Sequence, residues 1–181
     1  MKKTKIIAHR GARSIAPENT IIAAEIARVT GADLWETDVQ VTRDGHLILF
    51  HDDHLLRTTN ARNIFPEHDT FELNDFDLEQ IQMLDPGAAF IENDPFGEIS
   101  ACNITQNSLD SFKREKIPTL EEALLYTQNK QWPVNLELKE QIGMLKYFSI
   151  TKRVVAIIRD MKIDPALVII SSFNHGWLKE I

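Results

Sequence analysis

The sequence predicts an α/β domain, because short apolar strand segments alternate with amphipathic helical segments and because the strands carry their charge on one face. A third observation narrows the architecture. Charged residues and histidines fall at the ends of strand segments, at His9, at Glu36 with Asp38, at His51, and at Glu137 with Lys139. In a barrel one strand face packs on outer helices and the other points inward, and active sites gather at the C-terminal strand ends.

Each element follows from its residues. Lys5 to His9, with Ile6 and Ile7, is an apolar strand that stops at Gly11. Asn19 to Thr30 carries Ile22, Ile26 and Val29 at helical spacing, with Asn19 expected as N-cap and Gly31 just past the end. Leu34 to Val41 alternates, placing Trp35, Thr37, Val39 and Val41 on one face and Leu34, Glu36, Asp38 and Gln40 on the other. Trp35 is expected to pack beneath a helix. The Asp44-Gly45 turn leads into a strand over His46 to Phe50, and so short a link makes the two strands a hairpin or a tightly linked pair.

Residues 53–117 mix charge with turn chemistry at Pro86-Gly87, Asp94-Pro95 and Gly97, and are read as an insertion with one helix, Asp75 to Met83. Thr119-x-x-Glu122 is a capping pair that opens a helix with Leu120, Ala123, Leu124 and Thr127 on one face. Val134 to Lys139 alternates again, Phe148 to Met161 is an amphipathic helix, Leu167 to Phe173 a strand, and a helix starts at Asn174. Met83, Met144 and Met161 read as core filling, and His46, His54, His68 and His175 as solvated.

A length of 181 residues suits one domain carrying that insertion, and 43% hydrophobic with 26% charged residues is a globular balance. The net charge of −7 has the wrong sign for general affinity to nucleic acid or anionic membranes. Cys102 is the single cysteine, so no disulfide framework is expected, and the short apolar run before His9 is too brief for a signal peptide or a stable membrane insertion. A cytoplasmic protein is the expectation.

The polar strand ends carry chemistry. Residues i and i+2 on a strand share a face about 7 Å apart, so Glu36 and Asp38 can lean toward one divalent cation, with Glu137 joining from a neighbouring strand. Oxygen ligands without a cysteine cluster suit Mg²⁺ or Ca²⁺. The competing reading is a buried ion network in which these carboxylates offset Arg10 and Lys139. His9 and His51 can face each other across the site as general base and acid, or simply cap their strands. A carboxylate-bound metal beside two histidines points to phosphoryl chemistry, with Arg10 and the metal on the phosphate oxygens.

Several motifs in order then spell one pattern: His9-Arg10-Gly11, Pro17-Glu18-Asn19-Thr20, Glu36-Thr37-Asp38-Val39, Thr42-x-Asp44-Gly45, His51-Asp52 with Arg57-Thr58-Thr59, Ile117-Pro118-Thr119-Leu120-Glu121-Glu122, Leu136-Glu137-Leu138-Lys139 and Ser171-Ser172-Phe173. Together they closely resemble the glycerophosphodiester phosphodiesterase family, from Ile6 to about Leu178. The resemblance implies a TIM barrel that uses one divalent cation, Mg²⁺ or Ca²⁺, to hydrolyse small glycerophosphodiesters to sn-glycerol 3-phosphate and an alcohol. It assigns the acid/base roles to His9 and His51, the metal to Glu36, Asp38 and Glu137, and phosphate contacts to Arg10 and Lys139. It makes the insertion a small cap that helps to select the alcohol.

Two other readings have less behind them. A phospholipase C-like or D-like enzyme acting on intact lipid would want an exposed apolar rim, and a noncatalytic phosphate-ester binder would have lost a histidine or carboxylate. The family pattern also continues for two or three more strand-helix units. A TIM barrel typically takes about 250 residues, so with five strand segments the barrel is expected to be C-terminally incomplete here, open on one side, and part of a longer chain.

Overall fold

The computed structural model describes residues 4–113, 115–140 and 148–181. Strand β1 (Ile7–His9) leads through helix α1 (Ile21–Val29) to β2 (Leu34–Val41), which pairs with β1 in parallel and sets His9 opposite Glu36. Strand β3 (Leu47–Leu49) folds back antiparallel on β2, as the Asp44-Gly45 turn predicts. Four short helices follow within residues 53–117, the stretch the sequence reads as an insertion: α2 (Ala61–Ile64), α3 (Leu78–Ile81), α4 (Pro86–Asn93) and α5 (Gln106–Phe112). Helix α6 (Leu120–Lys130), β4 (Val134–Leu138), α7 (Ile150–Asp160), β5 (Val168–Ser171) and α8 (His175–Glu180) complete the order.

The sheet runs β1-β2-β4-β5 with β3 attached to β2. Val39 is paired with Leu49 of β3 and Leu138 of β4, so those strands lie on opposite edges of β2 and β3 continues the edge that β1 begins. All eight residues of β2 are buried, charged ones included. Among the described residues β1 and β5 are the outer edges of an open sheet, and Ile6, Ile7, Ile169 and Phe173 are exposed there.

The main core joins the sheet to α1, α6 and α7 through Trp35, Val39, Leu136, Leu124 and Val154. Trp35 is fully buried under α6 as expected: its indole N–H donates to Thr127 Oγ1 at 3.3 Å and its ring stacks on Trp132 at 6.5 Å. Helix α6 has its full capping box between Thr119 and Glu122.

Helix α1 differs from expectation at two points. Its N-cap is Thr20, whose hydroxyl accepts from the Ala23 N–H, because Asn19 is left-handed (φ +57°) and its amide is spent on β2. Its buried residues are Ala23, Ala24 and Ala27, while Val29 is exposed. Small side chains let the loop after β1 come close. A Cβ on Gly11 (φ +76°) would lie 2.7 Å from the Ala23 backbone carbonyl carbon.

The stretch read from sequence as an insertion is more ordered than one helix between loops. The expected helix from Asp75 to Met83 is a 3₁₀ turn over Leu73–Asp75 followed by α3. Pro86-Gly87 is the first turn of α4, with Pro86 at a helix start and Asp85 capping it. Four- to eight-residue helices are too short to show periodicity. They are held by their own core of Leu55, Leu73, Phe76, Ile81 and Leu84, and by a second cluster that joins Phe90 and Phe112 to Ala23 of α1. Met83 is 53% exposed rather than core, since it lies just past α3. Met161 packs on the main core as expected, and Met144 lies outside the described residues. The four histidines read as solvated are exposed, although His68 also stacks on Phe76 at 4.7 Å.

Candidate active site

Register assembles the carboxylates. Asp38 of β2 sits directly opposite Glu137 of β4, and Glu36 lies one strand repeat back on the same face. Ligand oxygens of all three come within 4.8 Å of one another. Glu36 and Asp38 are almost fully buried, at 6% and 1% exposure. Glu36 Oε2 accepts the Arg10 backbone N–H at 2.9 Å, whereas its Oε1 is buried without a partner. Burial, then the charges of Asp38 and Glu137, push the Glu36 carboxyl up to about 7 against the opposing pull of that N–H.

Arg10 and Lys139 are brought in as expected. Arg10 Nε lies 3.2 Å from Asp38 Oδ2, and Lys139 Nζ lies 3.0 Å from Glu137 Oε1 and 3.7 Å from Asp38 Oδ1. The ion-network reading is therefore realised in part, but two cations leave one of three clustered carboxylates uncompensated. An orphaned buried oxygen in an all-oxygen donor set fits a hard divalent cation.

The two histidines reach the site from the same edge of β2. His9 ends β1 opposite Glu36, and the backbone N–H of Phe50, just past β3, donates to Asp38 O at 3.0 Å, so the strand ends meet head to head. His9 Nε2 lies 3.9 Å from Glu36 Oε2, and its Nδ1 is 3.4 Å from Arg13 Nη1. Partial burial and the Arg10 and Arg13 charges hold its imidazole below the ordinary value, favouring the neutral form.

His51 is fixed from two sides. Gln40 Nε2 donates to the backbone oxygens of His51 and Asp52 at 2.5 and 3.0 Å, and His51 Nδ1 lies 2.5 Å from Asp52 Oδ1. Burial acts to raise the Asp52 carboxyl, but His51 and Arg57 hold it well below the usual carboxylate range. Arg57 grips Asp52 through Nε and Nη2 at 2.5 and 2.9 Å, and Glu18 through Nη1 and Nη2 at 3.1 and 2.7 Å. Glu18 Oε1 in turn accepts from Arg10 Nη1 at 2.9 Å. Burial would raise Glu18 too, yet Arg57 and Arg10 keep it ionised.

Glu18, Asn19, Asp52 and Arg57 fall within the sequence motifs, which give them no role at the site, Asn19 being expected only as a helix cap. Asn19 Nδ2 donates to Asp38 Oδ2 at 3.0 Å while its Oδ1 accepts from Thr37 Oγ1 at 2.8 Å, locking the loop onto β2. The available signal was charge and amide groups concentrated in turns next to the histidines.

Comparison with known proteins identifies the family. Residues 9–181 match the glycerophosphoryl diester phosphodiesterase family. The chain belongs to this family. A glycerophosphodiester phosphodiesterase of Caldanaerobacter subterraneus subsp. tengcongensis is 37% identical over 179 residues, 99% of this chain and 62% of that protein. A glycerophosphodiester phosphodiesterase from Agrobacterium tumefaciens superposes with a TM-score of 0.72 at 29% identity, over 98% of this chain and 61% of that one. An Oleispira antarctica phosphodiesterase, solved with the product sn-glycerol-3-phosphate, gives 0.70 at 28% identity over 97% and 60%. The chain shares the barrel-type α/β fold of this phosphodiesterase family and spans about 60% of the length of these relatives. Among the described residues no helix is long and apolar enough to cross a membrane.

Proposed function

We propose that this chain carries the catalytic site of a metal-dependent phosphodiesterase that converts glycerophosphodiesters to sn-glycerol 3-phosphate and an alcohol. The observation that carries the reading is the convergence of Glu36, Asp38 and Glu137 between Arg10 and Lys139, with His9 and His51 at adjoining strand ends. Glu36, Asp38 and Glu137 would hold Mg²⁺ or Ca²⁺, which when bound supplies Lewis-acid stabilisation of the phosphate oxygens.

Arg10 and Lys139 orient the phosphate and offset the charge that builds on it. His9, kept neutral, takes the proton of the attacking oxygen. Asp52 holds the proton of His51 on Nδ1 and turns Nε2 toward substrate, where the ring donates a proton to the departing alcohol oxygen. Residues 53–117 act as a cap within one catalytic domain and contact the alcohol.

Coupled detection of glycerol 3-phosphate from glycerophosphocholine, glycerophosphoethanolamine and an alkyl glycerophosphodiester tests the reading. Release with Mg²⁺ or Ca²⁺ that is abolished by chelator is expected. No release from any diester with either ion would overturn it.

A further inference from the structure

A cleft of about 380 Å³ lies between helix α4 of the insertion and the loop that follows β1. The volume is in the range of small-molecule sites. Its lining is mostly apolar, with Leu56, Pro86, Ala89, Phe90 and Phe96, and Thr58 and Asn93 are its uncharged polar residues. Its polar rim belongs to the active-site network: Arg13 lies 3.4 Å from His9, Glu18 is bonded to Arg10, and Arg57 is bonded to Asp52 beside His51.

The walls are braced before any ligand arrives. A Cβ on Gly87 would lie 1.8 Å from Phe112 O, so α4 is pressed against α5, and Phe90 meets Phe112 edge to face at 5.7 Å. The Arg13 guanidinium lies over the Phe96 ring at 5.2 Å and ties that half-exposed side chain to the rim.

We propose that this cleft is the subsite for the leaving alcohol and that it selects alcohols with an uncharged alkyl or aryl body. The proposal rests on the phosphodiesterase reading above. Of the two groups esterified to the phosphate, glycerol carries free hydroxyls that need polar partners, which the carboxylates and Lys139 supply more fully than the mostly apolar cleft does. Only the other ester gains from apolar burial. Charge decides against choline or ethanolamine. Two guanidiniums stand on the rim, and the single rim carboxylate, Glu18, is already engaged by Arg10 and Arg57.

The test separates binding from turnover. Hexyl phosphate, phosphocholine and inorganic phosphate are titrated calorimetrically into the Mg²⁺-loaded protein and into Phe96→Ala, whose folding is checked by thermal melting. Hexyl phosphate is expected to bind at least about tenfold tighter than phosphate, with phosphocholine no tighter than phosphate. Phe96→Ala should cut the hexyl gain at least about threefold without changing phosphate affinity. Equal affinity for hexyl phosphate and phosphate, or a gain untouched by Phe96→Ala, would overturn the proposal. Turnover of glycerophosphohexanol and glycerophosphocholine then tells the two failures apart. Hexyl phosphate binding without release of glycerol 3-phosphate removes the phosphodiesterase reading and leaves the cleft. Release from both diesters at equal kcat/KM removes the cleft's selectivity and leaves the reading.

Discussion

Glu36 is held in a place that costs stability. Its carboxyl is buried beside Asp38 and Glu137, one oxygen has no partner, and its proton is retained up to about pH 7. Glu36→Gln should therefore raise the Tm of the metal-free protein at pH 8 by about 2–4 °C, the response to roughly 1 kcal/mol in a domain of this size. The same variant should weaken Mg²⁺ binding at least about tenfold in calorimetry. A lower Tm with unchanged metal affinity would return the carboxylates to a purely structural ion network. His9→Ala and His51→Ala should each lower kcat by about 10²- to 10⁴-fold with little change in Tm. Loss of stability with full activity in the folded fraction would mark either ring as structural. Both histidines and all three carboxylates were legible in the sequence because each ends or lines a strand. Glu18 and Arg57 were not, because their bond to each other crosses the fold and spans 39 positions. Asp52 contacts its near neighbours His51 and Arg57, but in a turn with no periodicity to show which way its side chain points.

At the scale of elements, the strands and long helices follow their periodicity and caps, whereas the insertion is held by tertiary packing. Phe76 is fully buried, 5.3 Å from Phe65 and 4.7 Å from His68. Phe76→Ala should cost about 3–5 kcal/mol, seen as a lower or separate melting transition. An unchanged melt would show that the insertion core adds nothing to stability. Just beyond α5, burial and then Asp85 push the Glu115 carboxyl up to about 7. The folded state thus holds this proton more tightly than the unfolded chain does. The protonated carboxyl favours folding below the ordinary carboxylate value, and that contribution is lost as pH rises through about 7. Glu115→Gln should then gain more Tm over the parent at pH 8 than at pH 5. An equal gain at both values would remove the buried-acid account.

For the molecule as a whole, among the described residues β1 and β5 are outer strands with no further strand beyond them, and Ile6 at 61%, Ile169 at 50% and Phe173 at 84% exposure lie there. Such edges template association, so the chain at tens of micromolar should elute above its 20.7 kDa mass in size exclusion. A lysine at Ile169 should shift it toward the monomer, and a strictly monomeric parent would refute the argument. The sequence alone determined the α/β class, the close link of β2 to β3, the capping of α6 and which histidines, carboxylates and cations stand as candidates for the site, because local periodicity, turn chemistry and residue type are properties of neighbours in the chain. The tertiary structure decided what no local pattern encodes. Register set Asp38 against Glu137, left-handed backbone at Arg10 and Asn19 turned the loop onto β2, and packing of α4 on α5 opened a cleft beside the site. Each depends on free energy gained between residues far apart in sequence, which becomes available only once the chain has folded.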